Sequence, residues 1–296
     1  MAPNGPAFTF YLGTHQTHWL GRTEVPLFLS DSRLRKAVRL PRARGRWAKD
    51  SGGFSELSLH GKWGICPRAY ANRTVRESEE IGGLDWAAPQ DWMCEPQILA
   101  KTGLSIDQHQ QRTVQSVLEL RGLTDKVHWI PVLQGWSPGD YLRCVDLYQK
   151  AGIDLAREPI VGLGSVCRRQ STKMAASLID RLSKAIRLHG FGFKMQGLQA
   201  SAHLLAASDS LAWSFDARRA APLPGHDKPG QGRRTGHINC ANCIEYALRW
   251  RARLLNKLRR PPQLDLPWSV ASHSANPVVP REPGDDIGYG GGNLFG

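Results

Sequence analysis

Short apolar runs alternate with stretches of helical periodicity along the first 220 residues. Many of the runs are followed by a polar residue or by glycine, as at the ends of strands that open into loops. The runs predict eight strands, near residues 8–13, 26–30, 47–50, 85–91, 127–135, 159–166, 192–197 and 210–215. Apolar spacing of the helical type predicts helices near residues 73–81, 105–120, 141–151 and 174–188. Eight strands with intervening helices predict an α/β fold, a (β/α)8 barrel of the TIM type.

The chain is strongly basic, which bears on its partner. It carries 39 Lys and Arg against 26 Asp and Glu, a formal net charge of +13, and these residues are spread along its length. A polyanion is the natural partner of such a surface, and a solvated basic surface without a ligand is the alternative. We find no apolar run long enough to span a membrane and no basic-then-apolar N-terminus. We therefore expect a soluble, cytoplasmic protein without a membrane partner.

Two cysteines stand close together after the predicted eighth strand. Cys240 and Cys243 form a Cys-x-x-Cys pair, and His237 precedes them. This donor set suits tetrahedral zinc, so we predict a structural Zn²⁺ site with His237, Cys240, Cys243 and a fourth ligand. The fourth ligand is open between His226, which we choose, and His273. Two unligated buried cysteines are the alternative.

The composition changes after the barrel. Residues 221–236 are rich in Pro, Gly and basic residues, residues 244–258 have the pattern of a basic helix, and Pro and Gly dominate the end of the chain. We predict a barrel catalytic domain over residues 1–220. A small zinc-binding insertion between the last strand and the last helix, together with that basic helix, occupies 221–260, and an extended tail occupies 261–296.

Three acids beside predicted strands are candidates for chemistry. Asp50 and Asp91 follow strands, and Asp209 is expected at the start of the eighth. The strand ends of a barrel converge, so these carboxylates can share one cavity. Paired carboxylates suit displacement at an anomeric carbon, because one attacks while the other manages the proton of the leaving group. Gln134 and the backbone around Gly162 and Leu163 could read a flat ligand. A structural role for each acid is the alternative.

The segment Asp-Ser-Gly-Gly-Phe at residues 50–54 resembles a signature of the tRNA-guanine transglycosylases. These are zinc-containing barrels that exchange a guanine base for a 7-deazaguanine. Four further segments follow in the family's order, at residues 91–96, 132–135, 162–164 and 209–213. The family's zinc site has three cysteines and a histidine. Here Ile238 stands where the first cysteine is expected, so His237 is assigned as its substitute.

The resemblance implies roles for two acids. Asp209 would attack C1′ and hold a covalent glycosyl intermediate, and Asp50 would act as general acid for the departing guanine and then as general base for the incoming one. Asp216 is the rival nucleophile, because Phe215-Asp216 is similar to a Phe-Asp pair of the bacterial enzymes. We prefer Asp209, since the whole segment fits around it.

The resemblance also implies how the base is held. Phe54 would stack on it, Asp91 and Gln134 would bind its polar edge, and the signature loop and the sixth strand would supply further contacts. The expected substrate-binding residues are Ser51, Gly52, Gly53, Phe54, Asp91, Gln134, Gly162 and Leu163.

Three segments are similar to the DpdA-type branch of this superfamily, namely residues 11–15, 162–169 and 240–243. That branch, encoded by phages and bacterial modification islands, inserts 7-deazaguanines into DNA. The resemblance implies a pentosyltransferase that acts on DNA with a free, preQ0-like 7-deazaguanine, in the host cytoplasm if the protein is phage-encoded. A tRNA-guanine transglycosylase is the runner-up. A hypothesis from another class is a non-catalytic, zinc-stabilised nucleic-acid-binding protein, and a glycosidase of free nucleosides or sugars is a weaker fourth option. Homodimers occur in the tRNA family, but the sequence identifies no interface.

Overall fold

Eight short parallel strands form the centre of the molecule. The computed structural model describes residues 8–166, 173–227 and 238–259. The strands are β1 Thr9–Thr14, β2 Leu27–Ser30, β3 Trp47–Asp50, β4 Leu84–Ala87, β5 Val132–Leu133, β6 Val161–Leu163, β7 Leu188–Gly190 and β8 Ala207–Ser210. Helices cover the sheet, as the predicted TIM-type (β/α)8 fold requires, so the prediction of the fold class is confirmed.

The helices follow the strands along the chain. They are α1 Asp31–Leu34, α2 Gly53–His60, α3 Pro67–Ile81, α4 Pro96–Thr102, α5 Ile106–Leu123, α6 Pro138–Lys150, α7 Lys173–Ser183, α8 Met195–Ser201, α9 Ala212–Arg219 and α10 Ile244–Arg259. Short 3-10 helices occupy Thr17–Gly21 and Ala202–Leu204. Helices α5 and α6 each begin with a capping box, in which Ser105 and Ser137 accept hydrogen bonds from the backbone of the first turn. No helix of the described residues has the length and apolar character needed to cross a membrane.

The strand order is that of a ring opened at one point. Neighbouring strands run β4-β3-β2-β1-β8-β7-β6-β5. An isolated parallel bridge, between Ala87 at the end of β4 and Trp129 just before β5, joins the two ends of this order. The bridge completes the ring, and the carboxyl ends of all eight strands therefore face the same side.

Alternation along the strands separates an inner layer from an outer one. Inside the ring, Tyr11, Phe28, Trp86 and Ala207 belong to one buried cluster, against which Phe191 packs. Outside it, residues such as Phe10 and Leu12 pack in the larger core that includes residues of the helices. Lys49 also faces outwards, where its ammonium contacts Glu77 at 2.6 Å and Asp31 at 2.9 Å. This buried ion cluster holds α3 against β3, the strand that carries Asp50.

The positions predicted for the seventh and eighth strands are wrong. Strand β7 is Leu188–Gly190, because α7 ends at Ser183, and the predicted range 192–197 contains a turn and the beginning of α8. Strand β8 is Ala207–Ser210, and most of the predicted range 210–215 belongs to α9. Both strands carry buried polar or small residues, which an apolar pattern does not reveal. Asp209 is therefore the third of four residues in β8, near its carboxyl end.

Candidate active site

A cavity of about 380 Å³ opens at the carboxyl ends of the strands. It is lined by residues that follow strands on both sides of the ring, as the convergence of strand ends predicts. The predicted site residues that line it are Asp50, Ser51, Gly53, Phe54, Asp91, Gln134 and Asp209. Gly52 is absent from this lining, although it shapes the loop. Strand β6 and its end contribute Gly164 and Ser165 to the lining, whereas Gly162 and Leu163 lie within the sheet.

The signature loop is shaped by its two glycines. Gly52 has a φ of +77°, a conformation that residues with a Cβ atom rarely adopt. Its N–H donates to Asp50 Oδ2 at 3.0 Å. A Cβ atom on Gly53 would lie 2.9 Å from Met93 Cε and 3.2 Å from the carbonyl oxygen of Asp91. The sequence Gly-Gly therefore lets the loop turn sharply and pack beside Asp91.

Asp91 is held by two donors on the same wall. Ser51 Oγ donates to Asp91 Oδ1 at 2.8 Å, and Gln134 Nε2 donates to Asp91 Oδ2 at 2.7 Å. Asp91 and Gln134 are both buried. We call Asp50, Ser51, Asp91 and Gln134 the Asp50 wall. Its fixed carboxylate and amide groups suit the polar edge of a planar ligand.

Burial changes the protonation of this wall. It raises the pKa of Asp50 from its ordinary 3.8 to about 7, and the nearby carboxylates of Asp91 and Asp209 raise it further, against hydrogen bonds from Ser30 and Gly52. Burial likewise raises the pKa of Asp91 to about 6, against hydrogen bonds that include those from Ser51 and Gln134. Asp50 can therefore both give and take a proton near neutral pH.

Asp209 faces the cavity from the opposite side with a different environment. Its Oδ1 lies 3.1 Å from His189 Nε2 and accepts a hydrogen bond from the Gly192 N–H at 3.0 Å. In the described part of the chain, no hydrogen bond reaches Oδ2. We call His189, Gly192 and Asp209 the Asp209 wall. Sequence reasoning found no sharp signal for His189, because its partner lies on a neighbouring strand.

Ser165 and Glu95 also line the cavity and were not predicted as site residues. Ser165 is the one non-glycine residue of the described chain with a positive φ, 55°. Its hydroxyl lies 2.7 Å from Gln134 Oε1 and 2.9 Å from Glu95 Oε2, and it accepts the N–H of Cys94 at 2.8 Å. A signal for both residues was present in the sequence, because Glu95 lies in the segment 91–96 and Ser165 in the segment 162–169, which carry the family resemblance. Ser165 fixes the side of Gln134 that faces away from Asp91.

Aromatic rings complete the cavity. Phe28, Phe54 and Phe191 all contribute to its lining, and 42% of Phe54 is exposed. Rings beside hydrogen-bonding groups are what a flat, polar-edged heterocycle requires.

The rival acid, Asp216, lies elsewhere. It belongs to α9 on the exposed side, where its Oδ2 accepts a hydrogen bond from Trp250 Nε1 of α10 at 2.8 Å. It is not among the residues that line the cavity. This placement favours Asp209 over Asp216 as a nucleophile.

A second cluster combines His226, Cys240 and Cys243. Their donor atoms lie within 4.8 Å of one another, and His226 Nδ1 is 3.6 Å from each cysteine sulfur. About 3.6 Å is the separation of sulfur and nitrogen ligands around a tetrahedral ion with bonds of about 2.3 and 2.0–2.1 Å. His226 Nε2 also lies 3.1 Å from Glu245 Oε2, in the way that carboxylates orient metal-bound histidines. These residues fit a metal ion. His237 and His273 lie outside the described residues.

The loop that carries Cys240 and Cys243 contacts residues next to the cavity. Ser214 Oγ, at the start of α9, donates to the carbonyl oxygen of Ala241 at 2.9 Å. Gln16 Nε2, in the loop after β1, donates to Asn242 Oδ1 at 3.2 Å. Helix α9 follows the strand that carries Asp209, so the loop supports the Asp209 side of the site.

The mouth of the cavity is basic. Arg33 and His15 line it. Burial lowers the pKa of His15, and the charges of Arg33 and Arg218 lower it further. Arg33 and Arg218 are exposed and form no ion pair among the described residues. Two guanidinium groups are thus available for anions near the four carboxyl groups of the cavity lining, those of Asp50, Asp91, Glu95 and Asp209.

Comparison with known proteins covers nearly the whole chain. The sequence model of one family, DpdA, described as DeoxyPurine in DNA protein A, matches residues 7–285. A search of curated proteins finds no match. Because the family match spans both walls of the cavity and the metal cluster, the chain belongs to the DpdA family.

Proposed function

We propose that the protein is a pentosyltransferase that exchanges guanine in DNA for a free 7-deazaguanine base, such as a preQ0-like base, by double displacement. The observation that carries this proposal is the pair of differently held carboxylates in one cavity. Asp50 has a pKa of about 7, and Asp209 keeps one oxygen without a hydrogen bond in the described structure. The family's name, with a deoxypurine in DNA, supports the choice of polymer.

In the first displacement, a lone pair of Asp209 Oδ2 forms a bond to C1′ of the deoxyribose. The C1′–N9 bond breaks, and its electron pair leaves with the guanine. The protonated carboxyl of Asp50 gives its proton to the departing base, so that neutral guanine is released. The products are a glycosyl ester of Asp209 and the Asp50 carboxylate.

The second displacement reverses these roles. The Asp50 carboxylate removes the N9 proton of the incoming 7-deazaguanine, and N9 bonds to C1′. The ester bond to Asp209 breaks and returns its electron pair to the carboxylate. Asp50 is protonated again, so a pKa of about 7 suits both halves of the reaction.

The Asp50 wall would read the base. The Asp91 carboxylate accepts hydrogen bonds from Ser51 and Gln134 and retains acceptor capacity for the N1–H and amino group of guanine. Guanine and 7-deazaguanine share this edge, so one pocket serves both. Phe54, with Phe28 and Phe191, would stack on the ring.

The metal is proposed to be a structural Zn²⁺. His226, Cys240 and Cys243 would hold it, with His237 as the predicted further ligand. When bound, zinc would supply folding free energy to the loop that contacts α9 and Gln16.

DNA would be bound at the basic mouth. C1′ of a stacked nucleotide is out of reach in a duplex, so the target nucleotide must be extruded. Arg33 and Arg218 are placed to contact phosphates around the opening, and the net charge of +13 favours a polyanion. Cytoplasmic action on DNA and a homodimeric state remain predictions.

Base exchange tests the proposal. Purified protein is incubated with radiolabelled guanine or 7-cyano-7-deazaguanine and with duplex DNA or unmodified tRNA, and the label in each recovered polymer is counted. Label in DNA that disappears with Asp209→Ala supports the proposal. Label in tRNA alone would instead indicate a tRNA-guanine transglycosylase. Label in neither polymer, with folded and metal-loaded protein, would indicate a nucleic-acid-binding protein without catalysis.

A further inference from the structure

His189 is a fully buried histidine inside the ring of strands. It is the middle residue of β7, and none of its surface is exposed. Aromatic rings surround it, with centroids 4.7 Å away for Trp86 and Phe191, 5.7 Å for Phe28 and 6.0 Å for Tyr11. An apolar side chain would fill such a slot without the cost of burying polar nitrogens. Packing alone therefore does not explain why an imidazole occupies this position.

Within the described chain, the one polar contact of the His189 ring is with Asp209. His189 Nε2 lies 3.1 Å from Asp209 Oδ1. The other nitrogen, Nδ1, is buried and has no hydrogen-bond partner among the described residues. A hydrogen on Nδ1 would be unsatisfied, whereas a hydrogen on Nε2 meets a carboxylate oxygen. The geometry thus assigns the N–H to Nε2, as a donor to Asp209.

We propose that His189 is a positioning residue that selects the attacking oxygen of Asp209. Together with the Gly192 N–H at 3.0 Å, it occupies Oδ1 with two donors and leaves Oδ2 to form the bond to C1′. This inference rests on the proposed function, in which Asp209 is the nucleophile. Nothing in the sequence resemblance assigned His189 a role.

The two donors act unequally on the two displacements. While Oδ2 is bonded to C1′, Oδ1 is the carbonyl oxygen of an ester and carries little charge. When the ester breaks, negative charge returns to the carboxylate, and hydrogen bonds to Oδ1 stabilise it. In the first displacement the same bonds orient Asp209 but also stabilise the charge that is lost on attack. Loss of the His189 donor should therefore slow ester breakdown more than ester formation.

Two variants separate donation from packing. His189→Leu fills the slot without a donor, and His189→Gln places an amide N–H near the position of Nε2. Tyr11→Phe is the matched control, since it alters the same aromatic cluster and leaves the donor in place. The covalent protein–DNA adduct is formed without added base and measured on denaturing gels. Its breakdown is then timed after addition of 7-cyano-7-deazaguanine.

We expect His189→Leu to slow adduct breakdown by about 10- to 100-fold, which corresponds to the loss of a hydrogen bond to a charged group. Adduct formation should slow less, so the adduct should accumulate. His189→Gln should restore most of the rate, and Tyr11→Phe should behave like the wild type. DNA affinity should be unchanged in all variants.

Each contrary outcome is distinct. If His189→Leu breaks down the adduct at the wild-type rate, the inference is overturned. It is also overturned if His189→Leu slows adduct formation and breakdown equally and His189→Gln restores neither rate, because that result would indicate a packing role alone. If His189→Leu does not fold, His189→Met replaces it in the same comparison. If the wild-type protein itself forms no adduct, the proposed function fails and this inference fails with it.

Discussion

The two walls of the cavity hold their carboxylates in opposite ways. On the Asp50 wall, burial and neighbouring carboxylates raise the pKa of Asp50 to about 7 and that of Asp91 to about 6. On the Asp209 wall, one carboxylate oxygen meets two donors, His189 and Gly192, and the other meets none in the described structure. No lysine or arginine of the described residues forms an ion pair with Asp50 or Asp91. Local contacts alone thus give the carboxyl groups of one cavity two different environments, one that raises the pKa of Asp50 and one that occupies a single oxygen of Asp209.

The largest effect is expected on the Asp209 wall. Asp209→Asn should reduce base exchange at least about a thousandfold and abolish the covalent adduct, because an amide oxygen cannot replace the attacking carboxylate. Labelled-base incorporation and denaturing gels measure both. Asp216→Asn is the matched control on the exposed side of α9 and should keep exchange near the wild-type rate. Full exchange by Asp209→Asn would remove the nucleophile from this wall.

The next effect concerns the Asp50 wall, where activity and stability should change in opposite directions. Asp50→Asn should slow exchange by about 10²- to 10⁴-fold, since the amide can neither give nor take the proton. The pKa of Asp50 is higher in the folded protein than its ordinary 3.8, so the native state loses stability as pH rises from 3.8 through 7. The asparagine has no charge to bury. We therefore expect the variant to be more stable at pH 8 by on the order of 4 kcal/mol, with the difference vanishing below pH 4.

Melting curves at pH 4 and pH 8 measure the stability difference, with Ser55→Ala as a control from the same cavity lining. A variant that is less stable than the wild type at both pH values would contradict the stated cause of the raised pKa of Asp50.

A smaller effect on chemistry should follow from the cluster of His226, Cys240 and Cys243, whose loop contacts α9, next to the Asp209 wall, in the described part of the chain. Cys240→Ser combined with Cys243→Ser should remove the metal and lower the melting temperature by on the order of 10 °C. Adduct formation at Asp209 should fall more than binding of free guanine, because the loop contacts α9 rather than the Asp50 wall. Elemental analysis, calorimetry and the adduct assay measure these changes. Exposed Cys66→Ser is the control, and an unchanged metal content would contradict the site.

The smallest effect is expected at the mouth, outside both walls. Arg33→Ala should weaken DNA binding modestly and reduce the slope of log affinity against log salt by about 1, as expected for one phosphate contact. Arg76→Ala is a suitable control, because Arg76 lies on α3 and pairs with Glu80. Binding titrations at several salt concentrations compare the two. Equal slopes for both variants would place the phosphate contacts elsewhere.

The sequence predicted the Asp50 wall better than the Asp209 wall. The shape of the loop at residues 50–54 depends on local sequence, since its glycines determine its turn and Asp50 ends a strand that begins with the apolar residues Trp47 and Ala48. Asp91 and Gln134 could be added because parallel strands end on one side of a barrel. The role of His189 depends instead on its placement beside β8, and two neighbouring polar strands were placed wrongly. Contacts between strands are not encoded in the pattern of either strand alone.

The contribution of β6 illustrates a second limit. Gly162 and Leu163 were predicted to offer backbone groups to the base, but the Gly162 N–H donates to the carbonyl oxygen of Pro131 at 2.8 Å, and Leu163 is buried in the core. The cavity instead receives Gly164 and Ser165, one or two residues later. A short strand ends where its ladder partners end, which the sequence of that strand does not specify. The same limit applies to His226 as a metal ligand. Its ring meets Cys240 and Cys243 through the path of the intervening loop, which the sequence pattern does not specify.

The isolated bridge that completes the ring has a consequence for motion. In the described structure, two backbone hydrogen bonds join β4 to the segment before β5, from Ala87 N–H to His128 and from Ile130 N–H to Ala87, at 2.9 and 3.1 Å. Strands β1 and β8 are instead paired over four residues. Local opening takes the least free energy where the fewest bonds break, so the amide hydrogens of Ala87 and Ile130 should exchange with solvent sooner than those of β1. The loop that carries Asp91 begins at this seam, so opening there would widen the cavity on the Asp50 wall, whereas β8, which carries Asp209, would stay paired with β1.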